Sequence, residues 1–157
     1  MSYMSILHWF LDIVAFVVTV ASYFKMRSAK AAENAVRQKL LKRLAWEHFA
    51  EMARQSGTLT RNVRAADWPS ATAIAESLAG SLAQAEGSWR NLLTDTERDK
   101  LKTASRETQM LLRAMPLGGS AIEPKAHEEM SERCDFLLQA LGAIEGRLKY
   151  VEEWEGA

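Results

Sequence analysis

The chain carries a single cysteine, Cys134, so neither an internal disulfide nor a thiolate metal cage can form from it. Only three prolines and eight glycines punctuate 157 residues, which favours long helices over a turn-rich β architecture. No stretch alternates apolar and polar residues at period two over a useful length, so no sheet is expected. Internal repeats of about 20–50 residues are missing as well, which excludes solenoids and propellers. GxGxxG, Walker, HExxH, GxSxG and CxxC motifs are all absent, as is the Glu-x-x-His pair of di-iron bundles. Gly118-Gly119 reads as a turn, because it lacks the lysine and the following helix start of a phosphate loop. The expectation is therefore a non-enzymatic protein with no cofactor and no metal.

What is present begins with one apolar run. Ser5 to Phe24 is about long enough to cross a ~30 Å hydrocarbon core at ~1.5 Å per residue. The only residues in it that ionise below about pH 9 are His8 and Asp12, and Lys25 and Arg27 end it. Formal net charge is zero, yet residues 25–43 hold seven basic side chains against Glu33 alone. The remainder is mildly acidic, which argues against a nucleic-acid domain with its charge on the folded body.

A cleaved signal peptide fits poorly, since residues 1–7 lack Lys and Arg and Val20-Ala-Ser22 precedes bulky Tyr23-Phe24. A buried helix would need apolar partners on nearly every side. A membrane span fits best. The positive-inside bias then places the N-terminus outside and the body in the cytoplasm, at the plasma (inner) membrane. Trp9 and Tyr23-Phe24 fall near the two interfaces, and Lys25, Arg27 and Lys30 are candidates for anionic headgroups.

Polar residues in this stretch are not scattered. Ser5, His8, Asp12, Thr19 and Ser22, with Ala15 in the gap, follow 3-4-3-4-3 spacing and form one stripe. Small and hydroxylated residues on one face let membrane helices approach and bond. A carboxylate at mid-span costs ~2.5–3.5 kcal/mol against lipid and so should face a partner. The stripe is thus a candidate oligomerisation seam, toward a second copy of the chain or another membrane protein. Several copies could instead enclose a polar path for ions or protons, with His8 titrating near neutral pH.

Beyond the apolar run, residues 25–55 read as a continuing helix with Val36, Leu40, Leu41, Leu44, His48 and Met52 on one face and Ala45 and Phe49 beside it. Gln55-Ser-Gly57 reads as its end, and Thr58–Ala66 as a polar connector. Asp67-Trp-Pro69 starts a second helix running to about Leu93. Thr94-Asp-Thr-Glu97 is a capping box for a third helix over 95–115, with Leu101, Ala104, Thr108, Leu111 and Met115 inward. A fourth runs from near Pro124 to Trp154 on a stripe of Met130, Cys134, Leu137, Leu141, Ile144, Leu148 and Val151.

The predicted fold is all-α, an N-terminal single transmembrane helix followed by an antiparallel four-helix bundle. Residues 1–24 form the transmembrane anchor, 25–57 a juxtamembrane basic stalk helix joining the bundle, and 58–157 the remainder of the cytosolic bundle. His48 is expected partly in a helix interface, His127 exposed in a first turn, and Cys134 packed rather than reactive. Trp68 and Trp89 read as core residues, while Trp46 and Trp154 are candidate partner-binding aromatics on less apolar faces. The function expected is that of a single-pass membrane protein whose cytosolic bundle serves as an interaction, adaptor or assembly module for a cytosolic protein partner. It would sit in the lipid bilayer and self-associate through the membrane helix, without nucleic acid. The alternative is a small membrane effector or channel whose oligomerised anchors permeabilise the bilayer.

Overall fold

A computed structural model of the chain describes the backbone of residues 3–116 and 122–155, and the side chains of 16, 18–116 and 122–150. Four α-helices and no strand occur among them: α1 (Tyr3–Arg64), α2 (Trp68–Ser88), α3 (Asp95–Ala114) and α4 (Pro124–Glu155). The chain divides into two compact units, Met1–Leu41 and Lys42–Ala157.

The expected membrane-spanning segment falls within α1 (Tyr3–Arg64), and most of its side chains are outside the described residues. No helix among the described residues is long and apolar enough to cross a membrane. Residues 5–15 and 17 of the apolar run lie outside the described side chains.

In the unit from Lys42 onward, α1 buries Ala45, Phe49, Met52, Ser56, Leu59 and Val63, a 4-3-4-3-4 seam. The face expected from the sequence is corrected here, because Val36, Leu40, Leu41 and Leu44 are all exposed. The helix also continues past Gly57 through the expected connector to Arg64. Two hydroxyls make this continuation acceptable: Ser56 Oγ donates to the Ala53 carbonyl (2.8 Å) and Thr60 Oγ1 to the Ser56 carbonyl (2.8 Å). Their polarity is absorbed locally, so Leu59 and Val63 can enter the core, each worth ~1.5–3 kcal/mol on full burial.

A Schellman turn ends α1. The Asp67 N–H donates to the Asn62 carbonyl (2.9 Å) and the Ala66 N–H to the Val63 carbonyl (3.0 Å), with Ala66 left-handed at φ 56. Asp67 then caps α2 by accepting from the Ser70 N–H (3.3 Å). The capping box of α3 is present as read, Thr94 Oγ1 accepting from the Glu97 N–H while Glu97 accepts from the Thr94 N–H (2.8 Å).

Cross-helix contacts run in opposite directions throughout this unit. Trp46 and Arg64 of α1 pair with Glu145 and Asp135 of α4, so residue numbers fall on one helix as they rise on the other. His48 of α1 meets Trp89 just beyond α2, and Thr72 of α2 meets Met115 just beyond α3. Arg133 and Arg147 of α4 meet Glu107 and Glu97 of α3. The helices therefore close as an up-and-down bundle around one core. Seams read for α3 and α4 are the buried ones: Leu101, Ala104, Thr108, Leu111 and Met115, and Met130, Cys134, Leu137, Leu141, Ile144 and Leu148.

Candidate functional site

Of the polar stripe on the apolar run, Thr19 and Ser22 are exposed on α1, and the side chains of Ser5, His8, Asp12 and Ala15 lie outside the described residues. Lys25, Arg27 and Lys30 are exposed on α1. Beside them stand large apolar side chains with little protein cover: Phe16 is 72% exposed, Tyr23 61% and Phe24 62%. Met26, Val36 and Leu40 extend this uncovered surface along the same helix, each more than half exposed.

The two candidate aromatics are placed differently. Trp46 is half-buried against the core and its indole N–H donates to Glu145 Oε1 (3.2 Å). It sits in the α1–α4 junction, with its polar edge engaged by α4. The Trp154 side chain lies outside the described residues. Trp68 is buried and Trp89 packs half-buried on the core.

Both described histidines serve helix packing. Trp89 Nε1–H donates to His48 Nδ1 (2.7 Å), which places the neutral ring's proton on Nε2. Burial holds the His48 imidazole below its ordinary value by disfavouring its charged form. His127 corrects the sequence reading of an exposed residue: it is half-buried, with Nε2 2.7 Å from the Val63 carbonyl oxygen. A carbonyl only accepts, so Nε2 carries the proton and satisfies an acceptor in the last turn of α1. The Trp68 ring meets it edge-on, with centroids 5.7 Å apart. No local spacing marks His127 for this role, since the acceptor lies on another helix.

Cys134 is buried, and burial first, then the Asp135 charge, push its thiol up to about 12 despite Arg64 nearby. Its thiolate is inaccessible at neutral pH, which fits packing and not nucleophilic chemistry.

A partly buried ion pair joins α3 to α4. Arg147 donates through Nε to Glu97 and through Nη2 to the Leu92 carbonyl (3.1 Å). Burial opposes ionisation of Glu97 most strongly, but the bonds from Arg147 and Thr94 outweigh it and hold the carboxyl below its usual range. Sequence reading identified Glu97 as a cap and missed Arg147, whose position between Ile144 and Leu148 on an apolar stripe was the available signal.

An open groove of about 560 Å³ lies beside the α2–α3 turn, where Arg90, Arg98 and Lys102 alternate with Glu86, Asp95 and Asp99. Arg98 pairs with Asp95 (3.1 Å), so its charges largely cancel and no nucleophile–base pair converges there. Among the described residues no group of three or more His, Cys, Asp or Glu could hold a metal ion. Gln55 Oε1 is the one buried side-chain polar atom there without a partner. What stands uncovered is thus the apolar and basic surface of α1, and it is the candidate functional site. Comparison with protein-family models, with curated proteins and with solved structures finds no match to this chain.

Proposed function

We propose that the chain is a membrane-tethered interaction module: residues 5–24 hold it in a bilayer, and the helical bundle beyond serves as an adaptor or assembly body on the cytoplasmic side. The observation that carries this is the apolar run ending abruptly in a basic one, within a helix that continues without a break to Arg64. The exposure of Phe16, Val18, Tyr23 and Phe24 supports it, since water is a costly surrounding for contiguous apolar side chains and lipid is not. Through the stripe of Ser5, His8, Asp12, Ala15, Thr19 and Ser22 the tether associates with another membrane helix.

The test is fractionation of cells expressing the full chain with a C-terminal tag. The protein is expected to pellet with membranes, to resist alkaline carbonate, and to expose its tag to protease only after the cytoplasmic face is opened. A chain recovered as a monomer in the aqueous fraction would falsify the tether. Asp12→Leu is expected to weaken cross-linked oligomers in membranes, and undiminished cross-linking would remove the stripe from the proposal.

A further inference from the structure

The segment of α1 between the apolar run and Leu41 carries a second stripe. Met26, Ala29, Glu33, Val36 and Leu40 follow 3-4-3-4 spacing on one continuous helix, which puts them on one face at heptad a and d positions. All are exposed, Met26 and Val36 at 59% and Leu40 at 57%. The neighbouring e and g positions hold Lys25, Lys30, Ala32, Arg37 and Lys39, four of them basic and none acidic. An apolar seam edged with charges of one sign is a coiled-coil half whose partner the charges select.

Three occupants compete, and the chemistry separates them. A parallel second copy would set Glu33 against Glu33 in the seam and Lys25 against Lys30 at its edge, while an antiparallel copy would align the same basic edges. Lipid reaches only the near end of this face, where Lys25 and Met26 adjoin Phe24: at ~1.5 Å per residue Leu40 stands about 24 Å beyond Phe24, about three Debye lengths at ~8 Å. We propose that this face of α1 docks an acidic amphipathic helix of another protein, one with apolar a and d residues, Glu or Asp at e and g, and a basic residue opposite Glu33.

The distance argument rests on the tethered reading above, whereas the charge argument does not. The experiment therefore uses the full chain in neutral detergent, and its outcome is independent of fractionation. The probe is a labelled synthetic helix of about three heptads with Leu at a and d, Glu at e and g, and one Lys facing Glu33. A control peptide carries Lys at every e and g. Binding is read by fluorescence anisotropy, and sedimentation reports the chain's own oligomeric state.

The acidic probe is expected to bind at least tenfold tighter than the basic one, and to weaken at least threefold between about 0.05 and 0.5 M salt. Lys30→Glu with Arg37→Glu should reverse the preference, and Leu40→Asp should abolish binding, with unchanged circular dichroism because these side chains are solvent-facing. Equal affinity for the two peptides overturns the proposal. So does a dimer of the chain that Leu40→Asp dissolves, which would assign the face to a second copy. A fluorophore on Leu40→Cys that becomes shielded on anionic vesicles without peptide would assign it to lipid instead.

Discussion

Ala66 is the one described non-glycine residue with positive φ, at 56°. A side chain there costs about 1–2 kcal/mol against the same backbone in glycine, partly offset by glycine's greater freedom when unfolded. Ala66→Gly is exposed and removes no packing, so it should stabilise the bundle by about 0.5–1 kcal/mol in urea titration. A loss of stability would mean that the Schellman turn does not govern the α1–α2 corner. His48 makes a pH statement at the same scale. Its folded value lies below the ordinary 6.5, so the unfolded chain takes up the proton first as pH falls. Stability is then full above about 6.5 and declines below it, because burial disfavours the charged ring, and a protonated Nδ1 also cannot accept from Trp89. Melting temperature should drop as pH falls below about 6.5, and His48→Gln, whose amide oxygen can accept the indole N–H, should flatten that decline. Glu97 acts lower: its depressed carboxyl supports the fold above about 4.5 and loses that contribution as acid protonates it.

Among the elements, α1 decides most. A Gly57 that terminated the helix would resist replacement by a residue with a side chain. In the fold it sits mid-helix, and an added Cβ would meet Leu138 Cδ1 at 3.8 Å, an ordinary contact. Gly57→Ala should therefore stabilise by about 0.5–1 kcal/mol in urea titration, through helix propensity and a stiffer unfolded chain. The sign alone separates a helix interior from a helix end. For α3 the local signal and the fold agree, since Thr94 and Glu97 complete a capping box at the helix start. The α4 stripe is similarly consistent from Met130 to Leu148.

At the scale of the molecule, the bundle and the uncovered part of α1 obey different rules. Leu137 is fully buried and Leu40 is 57% exposed. Leu137→Ala should cost about 2–5 kcal/mol through lost transfer energy and the cavity left behind. Leu40→Ala should change folding stability by less than about 0.5 kcal/mol. Denaturant melts of the full chain check both, and a large penalty at Leu40 would show that its face is part of the bundle core. The surface ion pairs Arg43–Glu47, Arg54–Glu51 and Arg64–Asp135 are half-exposed or more on at least one side, and each adds at most about 1 kcal/mol. Orientation and register thus rest on the apolar seams and on the partly buried Arg147–Glu97 and Arg133–Glu107 contacts.

Much of this architecture is written locally. Helix type, the starts at Asp67 and Thr94, the inward stripes of α3 and α4, and the basic border of the apolar run follow from spacing and capping chemistry among residues a few positions apart. The end and the face of α1 do not. Ser56, Gly57 and Thr60 resemble a helix stop, and Val36, Leu40 and Leu44 resemble a core stripe, because periodicity counts apolar residues without knowing what lies opposite. Only the packing of α2 and α4 around residues 45–63 decided that Leu59 and Val63 are inside. The same tertiary contacts turned Trp46 toward Glu145 and His127 toward the Val63 carbonyl, partners 99 and 64 residues away along the chain. A sequence states its local preferences directly, whereas burial is a property of the neighbours that folding brings.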